Sequence, residues 1–339
     1  MTTNDLGSIA QALAAKGKGI LAADESFGTI EKRFKSIDVP STEENRRAYR
    51  NMLFATPGVG DFISGVILFD ETLRQKGDDG TPFADLLRNA GSIPGIKVDA
   101  GAKNLAGFPG EKVTEGLDGL RERLAEYYDL GARFTKWRAV ITIGAGIPTR
   151  ACIDANAEAL ARYAALAQEA KMVPIVEPEV LMDGDHSIER CAEVTEETLV
   201  TVFDRLHLHR VTLEHMLLKP NMIISGKKAQ NRANVQRVAE ATVTTLRRTV
   251  PAAVPGIVFL SGGQTPEEAT AHLNAMNALG EHPWELSYSY GRALQEEALS
   301  TWRGDKANVA AAQKAFQKRG RCVSAARYGK YTVEMERAA

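Results

Sequence analysis

Lys219 sits inside an apolar run, His215-Met-Leu-Leu-Lys-Pro-Asn-Met-Ile-Ile224, that reads as a buried strand. Lysine is almost never fully buried unless its charge is held or used. An apolar setting disfavours the ammonium form and lowers its pKa, and an amine so perturbed can attack a carbonyl. On this segment alone, a strand-end lysine reaching out to solvent is the simpler reading. The rest of the chain reverses that preference.

Side chains two apart on a strand share a face. Lys136 and Arg138 therefore share one across Trp137, and Glu177 and Glu179 share one across Pro178. Asp24 closes another apolar run, and Lys97 lies within a further one. All of these except Lys97 and Lys136 fall toward the C-terminal part of their runs, where barrel enzymes keep their active sites. An interior with only a structural task is filled by Val, Ile and Leu. Buried ion networks stabilise poorly, because desolvation offsets the attraction. A catalytic cluster follows, with Lys136 as the second cation expected to lower the pKa of Lys219 further.

Two glycine-bearing loops suit an anion. One is Ser261-Gly262-Gly263-Gln264, which leads into a helix beginning at Thr265; the other is Tyr290-Gly291-Arg292. Glycine lets backbone approach a phosphate, helix N-termini offer free N–H groups, and arginine can bind phosphate with two donors at once. A second anion group is Ser26, Gly28, Thr29, Lys32 and Arg33, for which a cap and a solvated helix face is the alternative. Arg46 and Arg47 read first as part of a capped surface helix after Thr42.

The elements that must position these groups are eight apolar runs: Gly19–Asp24, Phe62–Phe69, Gly95–Ala100, Phe134–Ile141, Val173–Val180, His215–Ile224, Ile257–Gly263 and Glu285–Gly291. Most are nearly continuous in hydrophobicity, as parallel strands covered on both faces are. Helical stretches alternate with them. One carries Leu117 to Tyr127 and stops at Gly131; another is capped by Asp154; another runs Val235–Val250; and Thr265-Pro-Glu-Glu268 is a capping box. This predicts a single (β/α)8 TIM barrel spanning 1–339, with helical segments at 1–18 and 302–339 and a loose tail from Tyr331 to Ala339. No Gly-x-Gly-x-x-Gly follows the first run, which weakens a dinucleotide-binding alternative.

Lys+Arg 42 against Asp+Glu 43 leaves a net charge of -1 over 339 residues, so nothing attracts nucleic acid or an anionic membrane as a whole. The N-terminus lacks a signal-peptide pattern, no run is long enough for a membrane helix, and three scattered cysteines suit a reducing cytoplasm. His207, His209 and His215 have no metal-site spacing, and no metal is expected.

The chain resembles the class I, Schiff-base fructose-1,6-bisphosphate aldolases. The resemblance rests on Gly19-Ile-Leu-Ala-Ala-Asp-Glu-Ser26, Thr42-Glu-Glu-Asn-Arg-Arg47, Gly95-Ile-Lys-Val-Asp99, Lys136-Trp-Arg138, Pro174-Ile-Val-Glu-Pro-Glu179, Leu217-Leu-Lys-Pro-Asn-Met222, Phe259-Leu-Ser-Gly-Gly-Gln264 and Ser289-Tyr-Gly-Arg-Ala-Leu294. It implies a reversible cleavage of fructose 1,6-bisphosphate to dihydroxyacetone phosphate and glyceraldehyde 3-phosphate, in glycolysis and gluconeogenesis, without metal or cofactor. Lys219 would form the Schiff base, Glu177 would be the main proton donor and acceptor, and Asp24 would act on the C4 hydroxyl. Lys136 and Glu179 would tune the site, with Arg138 assisting. Ser261, Gly262, Gly263, Gly291 and Arg292 would hold the C1 phosphate; Ser26, Thr29, Arg33, Lys97 and Arg46 are candidates for the far one. The family is commonly a homotetramer, which is the expectation here. Departures are Ala100, Thr29, Ala139 to Thr142, and an end at Glu336-Arg-Ala-Ala339 without the terminal tyrosine of animal-type members; the nearest are Tyr328 and Tyr331. A transaldolase-like barrel needs only one phosphate site, and a binding-only relative would be expected to lose the lysine or its carboxylates.

Overall fold

The computed structural model describes residues 5–337. Ten strands form, β1 Gly19–Ala23, β2 Ile63–Leu68, β3 Ile93–Lys97, β4 Ala102–Asn104, β5 Lys112–Thr114, β6 Phe134–Ile141, β7 Val173–Val180, β8 Leu217–Leu218, β9 Gly256–Phe259 and β10 Glu285–Tyr290. Eight of them close a parallel barrel in the order β1-β10-β9-β8-β7-β6-β3-β2, while β4 and β5 make a separate antiparallel pair. All eight apolar runs contribute a barrel strand, which is the (β/α)8 architecture the alternation predicts.

The barrel interior is built in layers by the two-residue period. Ile20, Ala22, Ile67, Phe134, Val173, Ile175, Leu217 and Val258 pack together in its lower half, where Ile9, Ala10, Leu13 and Ala14 seal the N-terminal mouth. Gly95 is required in this layer, because a Cβ there would stand 2.4 Å from the Phe134 ring. Two residues further along the same inward rows come Asp24, Lys97, Lys136, Glu177 and Lys219. Outward residues such as Trp137, which stacks on Tyr163 at 5.5 Å, pack against the surrounding helices.

Several local expectations need correcting. The helix Arg150–Glu169 is capped by Thr149, which accepts from Cys152 N–H, and not by Asp154, which lies inside it and pairs with Arg150. The third strand begins at Ile93 rather than Gly95, so that Lys97 is its last residue and belongs to the C-terminal end with the others. The run 215–224 has a ladder only at Leu217–Leu218. Pro220 has no N–H to donate to the ladder, and beyond it the Asn221 side chain meets the neighbouring strand, its Oδ1 accepting from Val180 N–H at 2.9 Å. The capping box at Thr265 is present, with Glu268 reaching back to the cap N–H. The tail expected to be loose is anchored through Arg337. Tyr331 N–H donates to Asn274 at 2.8 Å, its hydroxyl donates to Glu336 at 2.8 Å, and Glu336 pairs with the buried Arg319. Ala338 and Ala339 lie outside the described residues.

Candidate active site

Strand ends from five positions around the barrel put their charges into one cavity of about 700 Å³ at the C-terminal mouth. Lys219 is only 4% exposed. Its backbone N–H continues the strand by donating to Val176 O at 2.8 Å, which fixes the side chain inward. The ammonium lies 3.1 Å from Glu177 Oε1. The other oxygen of Glu177 is 3.4 Å from Lys136 Nζ, and Lys136 Nζ is 2.7 Å from Asp24 and 4.0 Å from Asp99. Asp99 in turn holds Lys97 at 2.8 Å. Three lysines and two carboxylates thus alternate along one chain of contacts, Lys219–Glu177–Lys136–Asp99–Lys97, with Asp24 branching from Lys136.

The two central lysines differ in how they are compensated. Burial pushes the Lys136 ammonium toward neutrality, but Asp24, Glu177 and Asp99 outweigh it and hold the group above its ordinary range. Burial likewise pushes Asp24 up, yet the charges of Lys136 and Lys219 and the bond from Lys136 bring it well below the usual carboxylate range. Lys136 and Asp24 are therefore a fixed ion pair at neutral pH. Lys219 has one carboxylate within ion-pair distance among the described residues, and Glu177 stands between it and Lys136.

Around this centre the other expected residues separate. Ser26, Thr29, Arg33, Lys97, Arg138 and Gly291 line the same cavity. Ser26 and Thr29 hydroxyls are 3.2 Å apart at the start of the helix Phe27–Lys35. Arg33 pairs with Glu25, which also holds Arg50 at 2.7 Å. Glu179 is not part of the lysine chain; its carboxylate takes Arg138 at 2.5 Å at the rim. Arg46 is drawn out of the group, because Glu71 accepts from its Nε and Nη2 at 2.8 and 2.6 Å. The family model described as class-I fructose-bisphosphate aldolase matches residues 5–339. The chain belongs to the class-I fructose-bisphosphate aldolase family. It is 59% identical over 332 residues to a probable class 1 aldolase of Xanthomonas campestris, covering 98% of this chain and 99% of that one. It is 54% identical to the fructose-bisphosphate aldolase of Dictyostelium discoideum, covering 98% and 94%. The solved Plasmodium falciparum aldolase, in a ternary complex with TRAP and a small-molecule inhibitor, superposes with a TM-score of 0.95 at 54% identity, over 96% of this chain and 95% of that one. The enzyme is a class I aldolase, a carbon–carbon lyase whose family works through a lysine Schiff base.

In this aldolase the Ser261–Gln264 turn is held from below. Gly262 and Gly263 adopt φ of 46° and 77°, conformations that side chains disfavour. Gln264 Nε2 donates to Ser261 O at 2.9 Å, while Gln264 O accepts from Arg292 Nη2 at 3.0 Å. Gln264 Oε1 accepts from His272 Nδ1 at 2.6 Å. One buried glutamine therefore ties the turn after β9 to the arginine after β10. His272 supports it in neutral form, burial having moved its pKa down to about 4 from 6.5. Between these values the unfolded chain binds the proton and the folded one does not. Stability from this residue should therefore fall as pH drops from about 6.5 to about 4, by roughly 3 kcal/mol in all, and level off below. Urea unfolding across this window should show a smaller loss for His272→Gln; an identical slope removes the assignment.

Three groups at the site escaped the sequence reading. Asp99 follows Lys97 in the same inward row and was visible by the same two-residue rule. Glu25 had no such signal, since it turns away from Asp24 to meet Arg33 and Arg50. Lys227 had none either. It comes from the loop after β8, whose N–H donates to Met182 O at 2.8 Å, and a Cβ on Gly263 would stand 2.9 Å from its ammonium. The two tyrosines nearest the end of the chain, Tyr328 and Tyr331, do not line the cavity. Tyr328 packs against Gly17 before β1, and Tyr331 is engaged by Glu336.

Proposed function

We propose that Lys219 is the nucleophile of this aldolase, with Glu177, Lys136 and Asp24 as its proton-handling partners. The observation that carries the reading is the bridge of Glu177 between the buried Lys219 and Lys136. Lys219 passes a proton to Glu177, and its amine adds to the C2 ketone of fructose 1,6-bisphosphate. Glu177 returns the proton to the carbinolamine hydroxyl, which leaves as water and yields the iminium. Asp24, kept ionised by Lys136, then takes the C4 hydroxyl proton as the C3–C4 bond breaks. The bond's electron pair flows into the iminium, giving an enamine and glyceraldehyde 3-phosphate. Protonation at C3 and hydrolysis release dihydroxyacetone phosphate. With no tyrosine from the described tail at the cavity, the proton that Asp24 took from the C4 hydroxyl is the one assigned to that step. Glu179 acts by holding Arg138 at the rim. Reduction by borohydride in the presence of dihydroxyacetone phosphate should place an irreversible adduct on Lys219 by peptide mass; an adduct elsewhere refutes the assignment.

The C1 phosphate is assigned to Ser261, Gly262, Gly263, Gly291 and Arg292, and the far phosphate to Ser26, Thr29, Arg33 and Lys97. Arg46 is left to its ion pair with Glu71. Lys227 joins the first group through its place over Gly263. Arg292→Ala should raise KM for phosphorylated ketoses by about 10–100-fold, the worth of one or two charge-assisted hydrogen bonds. Lys227→Met should raise it by a smaller factor, with Lys227→Arg restoring it and kcat little changed. An unchanged KM in Arg292→Ala moves the phosphate elsewhere. A homotetramer in the cytoplasm is the assembly and setting proposed, on the family's common state and an Arabidopsis relative described as cytosolic.

A further inference from the structure

We infer that the N-terminal face of the barrel, opposite the active site, holds a binding site for a small organic anion with an apolar body. A cavity of about 570 Å³ opens there, between the sealing helix Leu6–Leu13 and the first residues of β2 and β3. That volume lies within the ordinary range for small-molecule sites. Its floor is apolar, from Ile9, Ala12, Ala15, Ile93 and Pro94. Lys18, Arg88 and Arg133 also line it; among the described residues no aspartate or glutamate does, and Arg88 pairs at 2.9 Å with Asp85.

The charge balance is what calls for a ligand. Lys18 and Arg133 are half-buried, and neither forms an ion pair among the described residues. A partly enclosed cavity lowers the local dielectric, so cations without a carboxylate partner attract an anion there more strongly than on open surface. Arg133 is also set in place beforehand. Its Nη1 donates to Tyr128 O and Ala132 O at 2.9 and 2.8 Å, and the guanidinium lies 4.0 Å over the Tyr128 ring. Its remaining donors need no further ordering to meet an oxyanion. An aryl or alkyl phosphate, sulfonate or carboxylate matches both the cations and the floor.

The test uses the full-length enzyme with 8-anilinonaphthalene-1-sulfonate as the probe, after the active site has been blocked by borohydride and dihydroxyacetone phosphate. One probe molecule per chain is expected to bind. Lys18→Glu and Arg88→Glu, each expected to keep aldol cleavage, should weaken binding at least about tenfold, as charge reversal beside a partly desolvated anion does. Lys18→Arg should bind like the parent. Equal affinity in both charge-reversed variants overturns the proposal. So does loss of all binding on blocking the active site, or a change of molecular mass in Lys18→Glu by light scattering, which would assign the face to a neighbouring subunit.

Discussion

Lys219→Met is expected to leave no cleavage of fructose 1,6-bisphosphate above the uncatalysed rate while the barrel stays folded. Methionine nearly matches lysine in length, fills the same buried volume, and places no charge in it. Glu177 keeps Lys136 as its partner at 3.4 Å, so the substitution does not strand a carboxylate. What is lost is the amine, and with it the iminium that accepts the C3–C4 electrons. Lys219→Arg sharpens the result, because a guanidinium keeps the positive charge but cannot be deprotonated in a protein. Both variants should be inactive and should give no borohydride adduct at position 219. Thermal unfolding near that of the parent would show that the loss is chemical. Turnover surviving in either variant would remove Lys219 from the mechanism.

Glu177→Gln is expected to lower kcat by about 10²–10⁴-fold, the range for a positioned acid–base group. Glutamine keeps the shape but only one acceptor between Lys219 and Lys136, and it cannot carry a proton from the amine to the carbinolamine hydroxyl. Because borohydride reduces the iminium, trapping with dihydroxyacetone phosphate should slow in proportion. That second measurement separates two roles. If cleavage slows while trapping does not, Glu177 acts after imine formation, and the dehydration step belongs to another group. The neighbour assigned to the later step offers a contrast. Asp24 is bonded to Lys136 at 2.7 Å and does not contact Lys219 by hydrogen bond, so Asp24→Asn should slow cleavage and leave trapping largely intact.

Much of this site was readable because strand alternation is a local property. Once Phe134 is inward, Lys136 and Arg138 must be inward too, and the same holds for Ile175 with Glu177 and Glu179. Apolar residues low in each row and charges at its end gave both the barrel and the catalytic mouth. The glycine turn after β9 was readable for a similar reason, since a left-handed φ is a demand on one residue. Helix ends were less secure. Asp154 and Thr149 are both good caps, and only the packing of the preceding loop selected Thr149, whose hydroxyl and N–H both meet Glu111 at 2.7 Å.

Pairing across the ring was not readable, because it depends on which strand ends closure brings together. Residues 24, 99 and 177 converge on Lys136 from three different strands, so that lysine is locked as a cation, while Lys219, in a segment with equal sequence credentials, meets one carboxylate. The same dependence took Arg46 to Glu71 and Glu336 to Arg319, and brought Lys18 and Arg133 to one cavity. Residue types and their period determined that this chain would be a barrel with a reactive lysine in its mouth. The separate fate of each charge was decided by folding, because Coulomb energy depends on distances between groups that the chain order leaves unspecified.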